Sequence, residues 1–370
     1  MVNLITKLFT LKPGNMRSIR LYRIIQISWV LPLFTLLLIS NNIALILDWI
    51  VFPKFKSQTV SKPVFIVSLP RTGTTNLFHG LTSSNTPFTA MSLWEILLAP
   101  SIIQKKTYQL LWKFTPFLFK QKAKRLDQLI FRKLNAIHKV SLFKKEEDEI
   151  IMLWSLSSAY LSFFYPESNV MRELFRFDTA LSEKRKNRIM KKYYRMIQRH
   201  LYNQGTKSQK RYLAKNPSMG AKIETISKHF PDAKLIVIDR DPCAIFPSTE
   251  ILQKQLFNFS TDLPTTLKES AAIMHVLEDF MTNLQITIVK KKLLPCIVIS
   301  FQDLINNREK TMNALLKWMK CNHHKFKKDN EQHKTKANYD RLKPEELQKI
   351  LRNKWPSWPK EMFLNIDSII

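Results

Sequence analysis

Residues 63 to 81 of this 370-residue chain read PVFIVSLPRTGTTNLFHGL, and they restrict the fold more than any other stretch. Val64 to Val67 form an apolar run, a short turn holds Gly73, and Leu77, Phe78 and Leu81 follow at helical spacing. The pattern predicts a strand, a tight turn and a helix N-terminus. Such a turn binds phosphate, because the first backbone N–H groups of a helix lack intrahelical partners and the macrodipole adds partial positive charge there. Arg71 supplies a fixed charge, Thr74 and Thr75 supply hydroxyls, and Gly73 lets the backbone approach an anion closely. The chain holds 5 glycines, so one placed in this turn has a purpose.

The segment does not match the ATP or GTP loop G-x-x-x-x-G-K-[ST], since no glycine lies five positions before Gly73 and no lysine follows it. A second segment, residues 211 to 251, reads RYLAKNPSMGAKIETISKHFPDAKLIVIDRDPCAIFPSTEI. Lys234 to Asp239 is a buried-strand candidate between two turns, Phe230-Pro231-Asp232 and Asp241-Pro242. Arg240 closes that strand and Ser248 lies eight residues on. In an open α/β sheet, ligands sit at the carboxyl ends of the strands, where a guanidinium and a hydroxyl suit a phosphate monoester.

Both segments resemble motifs of the sulfotransferases that use 3′-phosphoadenosine 5′-phosphosulfate (PAPS). Pro70-Arg71-Thr72-Gly73-Thr74-Thr75 is similar to their 5′-phosphosulfate loop, P-[RK]-[ST]-G-T-T. Phe230, Pro231, Ala233, Arg240, Asp241, Pro242 and Ser248 follow the 3′-phosphate motif F-P-x-A-x-x-I-x-x-x-R-D-P with its later serine. Lys215-Asn216-Pro217 is similar to the family's Lys-x-Pro strand end, and residues 86 to 100 to a T-P-x-x-x-W-E segment of one branch. Cys296 to Leu304 is similar to a late strand ending in Y-E-D-L, with Phe301 and Gln302 as departures. The resemblance runs from about Val60 to Leu351. It implies an α/β, P-loop-like three-layer domain with a central parallel sheet flanked by helices. It also implies PAPS as co-substrate, held by Arg71, Thr72, Gly73, Thr74, Thr75, Lys215, Arg240 and Ser248, with no metal required. Asn76 stands where many members carry an aromatic residue, so adenine stacking must come from elsewhere.

The expected layout is a membrane-association segment over 1–60 and a sulfotransferase domain over 61–370, with a helical insertion at about 101–210. The formal net charge is +30, a balance that attracts nucleic acid, an anionic membrane or a polyanionic small molecule. No helix-turn-helix pattern, RNP-type strand or zinc-ligand spacing accompanies the charge, which argues against nucleic acid. Lys184 to His200 carries Ile189, Met190, Tyr193, Tyr194 and Ile197 near helical spacing, and so reads as an amphipathic helix with a basic solvent face. Cys243, Cys296 and Cys321 have no regular spacing, so they give neither a disulfide framework nor a zinc site; Cys296 reads as core. The C-terminal Trp355-Pro-Ser-Trp-Pro stretch is expected to pack on the domain as an irregular lid.

Residues 24 to 51 are almost wholly apolar, and Lys7, Lys12, Arg17, Arg20 and Arg23 precede them with no acid. A spanning helix needs about 20 apolar residues. Pro32, Asn41-Asn42 and Asp48 interrupt this run, and the last two split it into shorter pieces that suit a re-entrant or interfacial hairpin. Monotopic attachment at the cytoplasmic face is favoured over the alternative, a single type II span with a lumenal catalytic domain.

Sulfuryl transfer to an acceptor oxygen or nitrogen needs a base for the acceptor proton and cations for the leaving phosphate, demands like those of phosphoryl transfer. Arg71 is placed for the second task, with Lys215 assisting. For the first, His138 to Glu149 resembles the family segment H-x(5–8)-P-E-E-D-E, with Lys145 where proline is usual. His138 and Glu147 are therefore both candidate bases. His79 lies one helical turn past the loop and is a weaker candidate; Trp94-Glu95 reads as acceptor pocket or core. Aromatic residues of the insertion, with the membrane-seeking N-terminus, favour an apolar or lipid-linked acceptor; a carbohydrate is the alternative for a lumenal enzyme. A P-loop kinase-like phosphotransferase, or a non-catalytic basic membrane scaffold, are the competing readings.

Overall fold

The computed structural model describes residues 17–83, 86–135, 140–163, 173–205, 210–260, 267–321, 324, 326 and 357–366. Five strands form one parallel sheet: β1 (Val64–Ile66), β2 (Phe88–Thr89), β3 (Arg211–Lys215), β4 (Lys234–Asp239) and β5 (Cys296–Ser300), in the order β2-β3-β1-β4-β5. The two-residue β2, paired to β3 at the sheet edge, was not foreseen from the sequence; a pair of residues is too short for any alternation to register.

Parallel sheets are covered on both faces, so their strands read as continuous apolar runs. Alternate residues here feed two cores. Phe65, Leu235, Val237 and Val298 pack on one side with the helices α6 (Glu183–Asn203), α7 (Ile223–His229) and α9 (Leu267–Leu284). Val64, Ile66, Ile236, Ile238, Ile297 and Ile299 pack on the other with α2 (Thr74–Leu81) and α11 (Arg308–Trp318). The three expected layers are thus present. Chain order reverses at β1: the chain leaves it towards β2 and β3, then returns past it to β4. That reversal is a topological switch point, and it opens a crevice at the carboxyl ends of β1, β3 and β4.

Helix α3 (Leu93–Leu97) precedes the insertion, which holds α4 (Ile102–Phe114), α5 (Phe117–Ile130), two 3-10 stretches, Asp148–Ser155 and Ala159–Phe163, and α6. After β4 comes α8 (Pro242–Ser260), and after β5 comes α10 (Phe301–Asn306). Near the C-terminus, Phe363 bridges Val298 in parallel and Trp358 is buried, so this part of the tail packs on the domain as expected. Trp355 lies outside the described residues.

The N-terminal segment corrects one expectation. It is a single helix, α1 (Arg17–Val51), continuous through Pro32 and the Asn pair, rather than a hairpin. Its Leu31–Val51 stretch has mean hydropathy 1.8 and is long and apolar enough to cross a membrane. The polar residues do not break it because each finds a partner. Asn41 donates to Leu97 O (3.1 Å) and accepts from Gln104 Nε2 (2.8 Å); Asn42 donates to Leu38 O (2.7 Å). Asp48 accepts from the first N–H groups of α4 at Ile102 (2.9 Å) and Ile103 (3.1 Å), where a carboxylate also meets the positive end of the helix dipole. The opposite face, with Trp29, Leu33, Leu36, Ile39, Ile43, Ile46 and Ile50, is exposed.

A second correction concerns α6. Lys184, Arg188, Lys191 and Lys192 do face solvent, and Ile189, Met190, Tyr193 and Ile197 are buried as the spacing predicts. The last turns leave that pattern. Arg199 and His200 are buried, because α1 and the segment around Glu95 close over them.

Candidate active site

The loop after β1 is held by its own hydroxyls. Ser68 Oγ accepts from Ile238 N on β4 (2.5 Å), and Thr72 Oγ1 donates to Leu69 O (2.7 Å). Two residues take left-handed backbone, Arg71 at φ 63° and Gly73 at φ 89°. A non-glycine residue in that region stores strain, and such strain collects at functional loops. Gly73 is needed twice over: it caps α2 in that conformation, and a Cβ there would meet the Phe301 ring at 3.1 Å. As at any helix start, the first N–H groups of α2 have no intrahelical partner.

Arg240 and Ser248 close in on this loop from β4 and α8. Arg240 Nη1 donates to the Arg71 carbonyl (2.5 Å), and its guanidinium lies over the Phe301 ring, 4.2 Å from the centroid. Ser248 Oγ, buried, accepts from Arg71 Nε (2.7 Å). The two motifs that lie far apart in sequence are therefore in direct contact. Beside Arg240 is a small cavity between Leu69, Asp239, Ile245 and Trp358. Phe301 was noted in the sequence only as a departure from tyrosine; nothing in one chain signals that an arginine will lie on its ring.

Lys215 enters from the end of β3. Its side chain is buried, its Nζ donates to Thr75 Oγ1 (3.2 Å), and it pairs with Glu147 Oε1 (3.0 Å). Glu147 is the residue before the Asp148–Ser155 turn, and its two successors point elsewhere. Asp148 accepts from the hydroxyls of Tyr193 and Tyr212 in the core; burial pushes its pKa up to about 7, against those two hydrogen bonds. Glu149 accepts from Asn216 Nδ2 (2.8 Å), Ser218 Oγ (2.7 Å) and Ala159 N (2.6 Å), and pairs with Lys222 (3.3 Å). Of these three acids, Glu147 is the one paired with Lys215, the residue that contacts Thr75.

Other sequence candidates are placed as follows. Thr72 and Thr74 are buried and Thr75 is half-buried. His138 lies outside the described residues. His79 is half-buried beside the Phe78 ring. Glu95 belongs to a buried cluster, with His200 Nδ1 at 3.3 Å and Lys105 Nζ at 3.6 Å. Burial works against its charge, but Lys105 and His200 outweigh that and hold the carboxyl well below the usual range. Glu95 is thus a core residue, as one of its two readings had it. Trp94 packs edge-on to Tyr108.

Residues 63–325 match the sulfotransferase family. Two curated relatives are the omega-hydroxy-beta-dihydromenaquinone-9 sulfotransferases Stf3 of Mycobacterium bovis and Mycobacterium tuberculosis. Each is 29% identical over 229 residues, 61% of this chain and 54% of the relative. The chain therefore spans about half the length of the curated relatives it matches. The crystal structure of sulfotransferase STF1 from Mycobacterium tuberculosis superposes with a TM-score of 0.61 at 18% identity, covering 79% of this chain and 76% of that one. That of STF9 from Mycobacterium avium gives 0.59 at 18%, covering 84% and 71%. At such identity the likeness to these structures is one of fold.

Proposed function

Because this chain belongs to the sulfotransferase family, we propose that it transfers the sulfuryl group of PAPS in line to a hydroxyl of an apolar, membrane-borne acceptor. The observation that carries this reading is the meeting of Arg71, Arg240 and Ser248 at the carboxyl ends of β1 and β4, with Lys215 and Thr75 beside them.

In this scheme the α2 N-terminus and the Thr74 and Thr75 hydroxyls hold the 5′-phosphate, while Arg71 and Lys215 neutralise the oxygens on which charge develops as the S–O bond breaks. Arg240 and Ser248 hold the 3′-phosphate once the donor displaces their contacts with Arg71. A base takes the acceptor proton. Glu147 suits that part, since its pairing with Lys215 holds the carboxylate beside the residue that contacts Thr75; His138 is the other candidate.

Three features support an apolar acceptor: the exposed apolar face of α1, the hydroxylated menaquinone named for the two Stf3 relatives, and the aromatic residues of the insertion. The domain then works at a membrane surface on which α1 lies.

The test is calorimetric titration of the detergent-solubilised chain with PAP, the spent donor, against ATP with and without Mg²⁺. Tight PAP binding without Mg²⁺, lost in Arg240→Ala, is the expected result. A folded sample that ignores PAP overturns the proposal, and Mg²⁺-dependent ATP binding replaces it with a kinase.

A further inference from the structure

A second apolar surface lies outside the site and outside α1. Helices α4 and α5 are joined by Thr115-Pro116, and the residues around this joint are apolar: Phe114 is 74% exposed, Phe117 72%, Leu118 68% and Phe119 61%. Leu110, Leu111, Leu126, Leu129 and Ile130 continue the exposed surface down both helices. An apolar patch of this extent on a water-soluble surface is a liability, so something covers it.

The charges say what. Lys106, Lys113, Lys122, Lys124 and Arg125 are exposed on the two helices and Lys120 is half-buried. The lone acid on them, Asp127, is buried and turned inwards, accepting from Ser141 Oγ (2.7 Å) and Leu142 N (2.8 Å). Lys120 and Lys122 lie near the Trp112 and Phe119 rings, at 5.9 and 5.6 Å. Apolar joint, aromatic collar and basic rim are the chemistry of an element that enters an anionic bilayer interface. A protein partner would need dense acidity around a deep apolar groove, whereas anionic lipid supplies both at once. Continuity points the same way, because α4 packs on α1 through Gln104–Asn41 and Asp48–Ile102.

We propose that the α4–α5 pair is a second membrane-inserting element, its Phe114–Phe119 joint entering one leaflet of a bilayer that carries anionic headgroups. Helix α5 is also joined to the segment that carries Glu147. Asp127 fixes Ser141 and Leu142 at the start of the segment that reaches Glu147, 3.0 Å from Lys215. Insertion would therefore set the acceptor side of the crevice against the lipid. The proposal rests on surface chemistry and not on sulfuryl transfer.

The full chain is reconstituted into vesicles of equal phosphatidylcholine and phosphatidylglycerol, with Leu118→Cys carrying the environment-sensitive dye NBD. Lys310→Cys on α11, across the sheet from α6, serves as control, and the parent taken through the same labelling gives the background. The expected result is a blue-shifted emission at position 118, quenched more by acyl-chain nitroxides than by headgroup nitroxides, at a depth of roughly 5–10 Å. Position 310 should emit as in water. Water-like emission at 118 while the chain still floats with the vesicles would overturn the proposal and leave α1 as the membrane element. Dye protection that grows with chain density but escapes lipid quenching would assign the joint to a second copy, and also overturn it.

Discussion

Asp48 on α1 and Arg199 on α6 form an ion pair 2.8 Å across, 151 residues apart in sequence, with both side chains buried. Arg199 also donates to Leu45 O (2.9 Å) and lies over the Phe55 ring. The apolar N-terminal helix is thus built into the domain through its polar residues. Asp48→Ala would leave Arg199 without its carboxylate partner and take the acceptor from Ile102 N and Ile103 N, while Ser101 still caps α4. A loss of about 3–5 kcal/mol is expected, read as a fall in the denaturation midpoint in detergent. An unchanged midpoint would mean that α1 is held by its apolar contacts alone.

Gly73→Ala places a Cβ in left-handed backbone and against Phe301. The conformational part alone costs roughly 1–2 kcal/mol. Loss of PAP binding beyond the loss of stability is expected, since the loop must shift to make room. Adding Phe301→Leu to relieve the contact should restore part of the stability and little of the binding.

Arg240→Lys keeps the charge but loses the planar fork and the stacking on Phe301. One lost charge-assisted hydrogen bond is worth about 1.5–3 kcal/mol, a roughly tenfold to hundredfold weaker PAP affinity. Titration calorimetry checks it; parental affinity would place the 3′-phosphate elsewhere.

Glu147 and Glu149 should separate activity from stability. Glu147→Gln, whose side chain is less buried than that of Glu149, is expected to lose less stability than Glu149→Gln and to lower transfer of labelled sulfate from PAPS into a lipid extract by about 10²–10⁴-fold, the range for a lost general base. Glu149→Gln, which strips a buried pair from Lys222, should instead lower the melting point. A fully active Glu147→Gln would pass the base role to His138.

Asp148 gives a pH dependence of unusual sign. Burial raises its folded pKa to about 7, whereas the unfolded value is near 3.9. Between those values the folded state holds a proton that the unfolded state has released. The contribution of Asp148 is therefore full below about pH 4 and is lost as pH rises towards 7. Denaturation midpoints at pH 5 and pH 8 should differ less in Asp148→Asn than in the parent. An equal difference in both proteins would refute the assignment.

Much of the candidate site was legible because the residue types that suit phosphate stand together at short spacing in the sequence. The loop Pro70 to Thr75, the Arg240 strand end and Lys215 all stood out, and folding brought them together. What was illegible depended on partners distant in sequence. Asn41 and Asp48 read as interruptions, since their partners Gln104 and Arg199 lie 63 and 151 residues away. Glu95 and His200 form a pair across 105 residues. Among Glu147, Asp148 and Glu149, spacing could not say which acid pairs with Lys215; a 3-10 turn, not an α-helix, sends them in three directions.

The rigid mounting of α1 has a kinetic consequence. With Asn41 and Asp48 bonded into the domain, no swinging tether separates the apolar helix from the crevice, so a membrane-bound molecule would keep the crevice at a constant height above the lipid plane. Donor would arrive from the three-dimensional aqueous pool, while acceptor arrived by lateral diffusion in two dimensions. Turnover would then follow the surface density of acceptor, diluted by adding lipid and indifferent to adding buffer.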